Sequence, residues 1–222
     1  MTKSARPNAL GVLMLQTRFP RLPGDIGHPA SFPFPVRYRI VPGASPRRIV
    51  VAQDREMLEP FIAAGRTLID AGATAITTSC GFLIGFQREL AAALPVPVWT
   101  SSLLALPELR RPGIVTVDAA SLGAQHLRAA GAPEDVPIEG LAAGCHLQRT
   151  LLDDLPELDP HEAEADAVAA ACRLVARCPE IESLLLECTN LPPYAGAIEA
   201  ATGRPVHHLP GFIAARWPPR AA

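Results

Sequence analysis

The feature that most constrains this chain is an apolar run that stops at a cysteine, and it occurs twice. From Ala73 to Leu83 the sequence reads A-T-A-I-T-T-S-C-G-F-L, with Cys80 among small residues; from Ile181 to Pro193 it reads I-E-S-L-L-L-E-C-T-N-L-P-P and stops at Cys188. Each cysteine is followed by a helix-like segment and a second short run, Pro95 to Trp99 in the first case and Arg204 to His208 in the second. Short apolar runs bounded by turn residues are the pattern of strands buried on both faces. Two such units, about 108 residues apart, predict two similar halves related by a pseudo-twofold axis. Each half sets one thiol at the C-terminal end of a strand, and both thiols face one cleft.

The rest of the chain fits an alternation of strands and helices. Ala9 to Gln16 (A-L-G-V-L-M-L-Q) reads as the first strand, Ile49 to Ala52 as a second, and Glu56 to Ala71 as a helix that starts or kinks near Pro60. Further helices are predicted from Ile84 to Ala93, Leu103 to Leu109 and Ser121 to Ala130, the last stopping at Gly131, and further strands over Gly113 to Val117 and Val136 to Leu141. The clearest helix runs from His161 to Arg177, with Asp159 as its cap, Pro160 in its first position, and Val168, Ala171, Cys172 and Val175 as its apolar face. Residues 17 to 47 are rich in proline and glycine but carry Phe19, Phe32, Phe34 and Tyr38, which predicts a structured wall of the cleft. The whole predicts an α/β molecule with mostly parallel sheets, in which ligands bind beyond the carboxyl ends of the strands. The expected lobes are residues 1 to 100, with 206 to 222 returning to them, and 101 to 205.

Composition excludes several functions. A chain of 222 residues can bury a sizeable core, and its net charge of −2 is spread without the basic stripe that nucleic acid requires. No run approaches the roughly 18 apolar residues of a membrane span. Lys3 and Arg6 before Ala9 to Leu15 imitate a secretory leader, yet Gln16, Thr17 and Arg18 arrive where a small-residue cleavage site belongs. Five cysteines without a CxxC pair suit neither a disulfide framework nor a zinc site, so the expectation is a protein of the reducing cytoplasm with no metal. Cys145, Cys172 and Cys178 lack the strand-end setting and read as structural.

At Cys80 and Cys188 the setting is different. Thr77, Thr78, Ser79 and Gly81 around one, and Thr189 and Asn190 beside the other, leave room for a ligand. A helix starting beyond each cysteine would offer N–H groups and a positive dipole end, which lower a thiol pKa from about 8.5 and bind carboxylates. The chain resembles the aspartate/glutamate racemase superfamily, whose members include hydantoin racemases, maleate cis-trans isomerases and arylmalonate decarboxylases. Cys188-Thr189-Asn190 is similar to the family's second cysteine motif, and Thr78-Ser79-Cys80-Gly81-Phe82 occupies the place of the first.

The resemblance implies two flavodoxin-like lobes and a cofactor-independent racemase or epimerase of an amino acid or related carboxylate, with Cys80 and Cys188 as the opposed acid/base pair. A proton alpha to a carboxylate is far less acidic than a thiol, so the enediolate must be held by preorganised donors. Thr78, Ser79, Gly81, Thr189 and Asn190 are the expected contacts. Thr17 and Arg18 stand where the family has a glycine-rich motif and complete the set, with Arg18 as partner of a distal carboxylate. Gly81 and Phe82 replace the Asn-Thr that follows the first cysteine in amino-acid racemases, and Asn190 replaces the histidine of glutamate racemases. A maleate-type isomerase or an arylmalonate-type decarboxylase is therefore an alternative, as is a binding protein for small carboxylates without catalysis. The roles of Asp25, His28 and Glu187 stay open, as does a homodimer; His207 and His208 point to opposite faces of a strand, which excludes a shared metal.

Overall fold

Two four-stranded sheets, every pairing in them parallel, repeat one strand order in the computed structural model, which describes residues 8–218. The first sheet contains β1 (Ala9–Met14), β2 (Val36–Ile40), β3 (Ala73–Thr78) and β4 (Val98–Trp99), in the order β2-β1-β3-β4. The second contains β5 (Pro112–Thr116), β6 (Ile138–Gly140), β7 (Ser183–Leu186) and β8 (Val206–His208), in the order β6-β5-β7-β8. The helices are α1 (Leu58–Asp70), α2 (Gln87–Ala93), α3 (Ala124–Ala129), α4 (His146–Leu152), α5 (Pro160–Arg177), α6 (Ala195–Thr202) and α7 (Leu209–Ala214). The sheets therefore form two similar lobes of an α/β molecule. Lys3 and Arg6 of the leader-like stretch, and residues 219 to 222 of the tail, lie outside the described residues.

Central strands of each sheet are covered on both faces, which is why their sequences are continuously apolar. All six residues of β1 are buried, and so are all four of β7. Alternation along β1 sends Leu13 into the main core and Leu10, Val12 and Met14 into a second cluster on the other face, with Ile26, Phe32, Leu209 and Ile213. The main core is continuous through both lobes, from Leu13 and Phe61 to Leu185 and Ile198. With a fully buried leucine or isoleucine contributing roughly 1.5–3 kcal/mol, the two lobes stabilise each other.

Several local expectations change in the structure. Residues 47 to 51 form a π-helical turn, so Ile49 to Ala52 is not the second strand. That strand is β2, a sheet edge whose residues are exposed or only half-buried, up to Ile40 at 58%. β8 pairs with β7, so residues 206 to 208, assigned to the first lobe, belong to the second sheet. Asp159 caps α5 by accepting hydrogen bonds from the His161 and Glu162 N–H groups at 2.8 and 3.1 Å, worth about 1 kcal/mol. The buried face of α5 is Ala163, Ala167, Ala170, Ala171 and Leu174; Val168, Cys172 and Val175 are only half-buried. Small residues let this long helix lie close over its sheet.

Candidate active site

The C-terminal ends of β3 and β7 meet between the lobes and bring Cys80 and Cys188 to one cavity. Matching bonds build the two ends. The residue before each cysteine donates its N–H to the neighbouring strand, Ser79 to Leu13 and Glu187 to Val115, both at 2.9 Å. Each cysteine carbonyl accepts from the amide three residues on, Leu83 for Cys80 and Leu191 for Cys188, both at 3.1 Å. The ends also grip each other. Thr189 Oγ1 donates to the Ser79 carbonyl at 2.7 Å, while Gly81 lies so close to Glu187 that a Cβ there would stand 2.3 Å from both Glu187 O and Glu187 Oε1. The residue after each cysteine thus contacts the residue before the other, as a pseudo-dyad requires.

Both thiols are 8% exposed and unpaired by disulfide. Backbone N–H groups of Phe82 and Leu83 face Cys80, and that of Asn190 faces Cys188. The donors expected from the turn beyond each cysteine are present, but they do not make reactive thiolates. Burial pushes both thiols far up, and the negative charge of Glu187 pushes them further. No α-helix starts at either position; the segments after the cysteines begin with 3-10 turns over Gly81–Phe86 and Pro192–Tyr194. At rest both groups are neutral thiols.

Arg21, Asp25 and Asn190 distinguish them, whereas Glu187 acts on both. Arg21 lines the cavity and its charge draws the Cys80 pKa down, whereas Asp25 draws that of Cys188 up. Asp25, nearly fully buried, accepts from Arg21 at 2.8 Å and from the Asn190 side-chain amide, which fixes Asn190 Oδ1 toward Cys188 Sγ at 3.6 Å. Cys188 is thereby held as a donor. Glu187 is fully buried with Oε2 accepting from Thr116 Oγ1 at 2.7 Å, and Oε1 has no partner; burial pushes its pKa up to about 7.

Of the residues singled out in the sequence, Ser79, Cys80, Gly81, Cys188, Thr189 and Asn190 line this cavity, and Thr17, Arg18 and Thr78 do not. Arg18 is turned outward, its side chain 67% exposed, and pairs with Asp154. Thr17 Oγ1 accepts from Arg21 Nη2 at 3.1 Å. The Thr78 hydroxyl lies between the carbonyls of Thr100 and Cys80, at 2.6 and 3.0 Å, and Ser79 Oγ accepts from the Leu15 N–H. These hydroxyls, with that of Thr189, hold the strand ends together. His28 caps the short turn Pro29–Ser31 through Nδ1.

Phe19 lines the cavity as part of the wall expected over residues 17 to 47, whereas Arg21 and the α4 residues Leu151 and Leu152 were not singled out. Arg21 carried a signal, its i,i+4 spacing to Asp25. The cavity is narrow, about 30 Å³, with room for a water or two in this structure. Phe82, edge-on to His126 at 5.3 Å, separates it from a wider cavity of about 210 Å³ lined by Gln53, Arg55, Phe86 and Gln125. Among the described residues no cluster of His, Cys, Asp and Glu could hold a metal, and no helix is long and apolar enough to cross a membrane.

No family model matches the chain. Among curated proteins it is 31% identical to a dimethylsulfoniopropionate lyase of Durusdinium sp. clade D, over 90% of this chain and 70% of the relative. It is 32% identical to dimethylsulfoniopropionate lyase 7 of Emiliania huxleyi, over 89% of this chain and 63% of that longer protein. Among solved structures, unliganded arylmalonate decarboxylase superposes with a TM-score of 0.64 at 17% identity, covering 97% of this chain and 94% of the other. Glutamate racemase from Thermus thermophilus, in complex with β-chloro-D-alanine, gives 0.53 at 19% identity, over 95% of this chain and 78% of the other. The fold is that of the aspartate/glutamate racemases.

Proposed function

The chain belongs to the family of the dimethylsulfoniopropionate lyases, and from that premise we propose that it is a lyase that eliminates a leaving group beta to a small carboxylate, with dimethylsulfoniopropionate as the substrate to try first. The observation that carries the reading is the meeting of two chemically unequal thiols, Cys80 and Cys188, in one cavity. Racemisation, decarboxylation and this elimination share one demand, stabilising negative charge at the carbon alpha to a carboxylate. They differ in the fate of that charge. A racemase returns a proton from the opposite face and needs two acid/base groups of comparable strength; an elimination needs one base and a departing group.

In the proposed reaction the Cys80 thiolate removes the alpha proton, and the C–H electron pair becomes the new double bond. The C–S bond breaks, dimethyl sulfide leaves with its electron pair, and acrylate remains. Cys80 is assigned as base because Arg21 and two backbone N–H groups favour its ionised form, while Cys188 faces Asn190 Oδ1 and the charge of Asp25. Once the walls of the narrow cavity part to admit the substrate, its carboxylate is placed toward Arg21 and the amides after Cys80. The methyl groups on sulfur go toward Leu15, Phe19, Val117 and Leu151.

The test is headspace gas chromatography of purified protein with dimethylsulfoniopropionate, beside D- and L-aspartate and glutamate, maleate and an arylmalonate. Release of dimethyl sulfide with acrylate supports the lyase. Racemisation of an amino acid without it would return the reading to the racemase, which the presence of two thiols in the cavity keeps as the second choice.

A further inference from the structure

Glu187 is the buried ionisable group that the elimination just described leaves without a task. Its carboxyl is fully enclosed, Oε1 has no hydrogen-bond partner, and it lines the cavity that holds both thiols. Gly81, next to Cys80, lacks the Cβ that would stand 2.3 Å from Oε1, so the chain is cut back at that point to admit this oxygen. An unpaired carboxyl oxygen in an apolar interior costs about 1–3 kcal/mol, and an apolar residue following Leu184, Leu185 and Leu186 would fit the strand without that cost.

Resting on the lyase reading, we propose that Glu187 accepts the thiol proton of Cys80, directly or through one water, and so makes the thiolate that attacks substrate. The S–H bond breaks with its electron pair kept by sulfur, and an O–H bond forms at Oε1. Net charge in the cavity is unchanged, since one negative charge moves from oxygen to sulfur. Moving a charge inside a dry site costs far less than creating one there. After elimination Cys80 carries the substrate's proton, and Glu187 releases its own to solvent when product leaves, which balances the proton produced. Thr116 Oγ1 holds Oε2 throughout, leaving Oε1 as the reacting oxygen. The titratable and charged groups that act on this pair are Cys188 and Arg21, while Asp25 and the Tyr194 phenol act on Cys188. Glu187 acts through the thiol and does not touch substrate.

The experiment is the rate of iodoacetamide labelling at each thiol, resolved by mass spectrometry from pH 5 to 10, in wild type and in Glu187→Gln and Glu187→Asp. A thiol that shares a proton with a carboxyl becomes labelled in two steps, the first where the pair loses its first proton, near neutral pH, and the second well above it. Wild type should show both steps at Cys80, Glu187→Gln only the alkaline one, and Glu187→Asp a smaller first step. With substrate, Glu187→Gln should lower kcat by about 100-fold with KM changed less than about 3-fold. A single alkaline step at wild-type Cys80 overturns the inference even if no variant folds. So does a Glu187→Gln variant in which only KM rises, which would make Glu187 a partner for the sulfonium charge. Labelling needs no substrate, so a first step without dimethyl sulfide release would refute the lyase alone, and release without a first step would refute the proton acceptor alone.

Discussion

The Ser79-Cys80-Gly81 and Glu187-Cys188-Thr189 ends occupy equivalent places in the two sheets, yet they are built from opposite materials. In the first, the residue before the cysteine is a serine whose hydroxyl accepts from Leu15 N–H, and the residue after it has no side chain. In the second, the residue before is a buried carboxyl with a free oxygen, and the residue after it donates across the dyad to Ser79. The backbone bonds are the same to within 0.1 Å in distance. A repeated fold thus supplies two thiols in equivalent frames, and the side chains on either side of them make the frames unequal. That inequality favours a one-base reaction over a symmetric one.

The strongest way to break the comparison is to remove each thiol in turn. Cys80→Ala should lower kcat for elimination by about 10³-fold or more, within the range for loss of a general base, whereas Cys188→Ala should cost about 10-fold or less. Equal collapse in both variants, measured as initial rates of dimethyl sulfide release, would mean that the thiols are equivalent and that the asymmetry around them does not matter. A racemase would give that result.

The next effect is on stability. Glu187 has its pKa raised from 4.5 to about 7 by burial, so between those values the folded state holds a proton that the unfolded chain has lost. Native protein binding more protons makes stability fall as pH rises. The favourable contribution is complete below about pH 4.5 and gone above about pH 7, a difference of roughly 3 kcal/mol at 1.36 kcal/mol per pKa unit. Glu187→Gln should match wild type near pH 4.5 and exceed it by up to about that amount at pH 8, read as urea unfolding midpoints. His126 and His208, whose pKa values are lowered by burial, give a slope of opposite sign in the same range, but it is common to both proteins and cancels in the difference. Parallel curves for the two proteins would remove the titrating half from the comparison.

How much of this was legible in the sequence depends on which force decides each feature. The doubled run ending in cysteine was legible because a strand buried on both faces must be apolar throughout and must stop where the cleft begins. β2 reads V-R-Y-R-I, the period-two alternation of an edge strand, but it is only five residues long and lies inside the proline- and glycine-rich stretch read as a wall of the cleft, which hid it. Arg18 and Arg21 are three residues apart and chemically identical; only the fold turns one to Asp154 and the other to Asp25. The sign of the thiol shift also depended on burial. Backbone donors near a cysteine predict a lowered pKa, and here they are outweighed by desolvation and by Glu187, whose orientation toward Gly81 no local pattern announces.

Gly81→Ala tests the close side of the crossed contact. Its Cβ would meet Glu187 at 2.3 Å, and one of the two atoms struck is a backbone carbonyl that cannot rotate aside. Overpacking of this kind costs about 1–3 kcal/mol, and the Glu187 carboxyl would have to leave its place, so activity should fall together with the thermal midpoint. An alanine variant with unchanged midpoint and rate would show that the absence of a side chain at this position has nothing to do with Glu187.

Thr189→Val tests the other side and should have the smallest effect. Valine keeps the shape of threonine and removes only the hydroxyl that donates to the Ser79 carbonyl at 2.7 Å. Both groups are buried, so the loss is one hydrogen bond plus an unpaired carbonyl, about 1–2 kcal/mol. Because this bond ties the two strand ends without touching the thiols, unfolding midpoints should drop while the pH profile of Cys80 labelling keeps its shape. The two single variants at 81 and 189 then define a double-mutant cycle. If the crossed contacts form one unit, the combined loss should differ from the sum of the separate losses by more than about 0.5 kcal/mol; strict additivity would mean that each lobe holds its own strand end and that the dyad contact is only proximity.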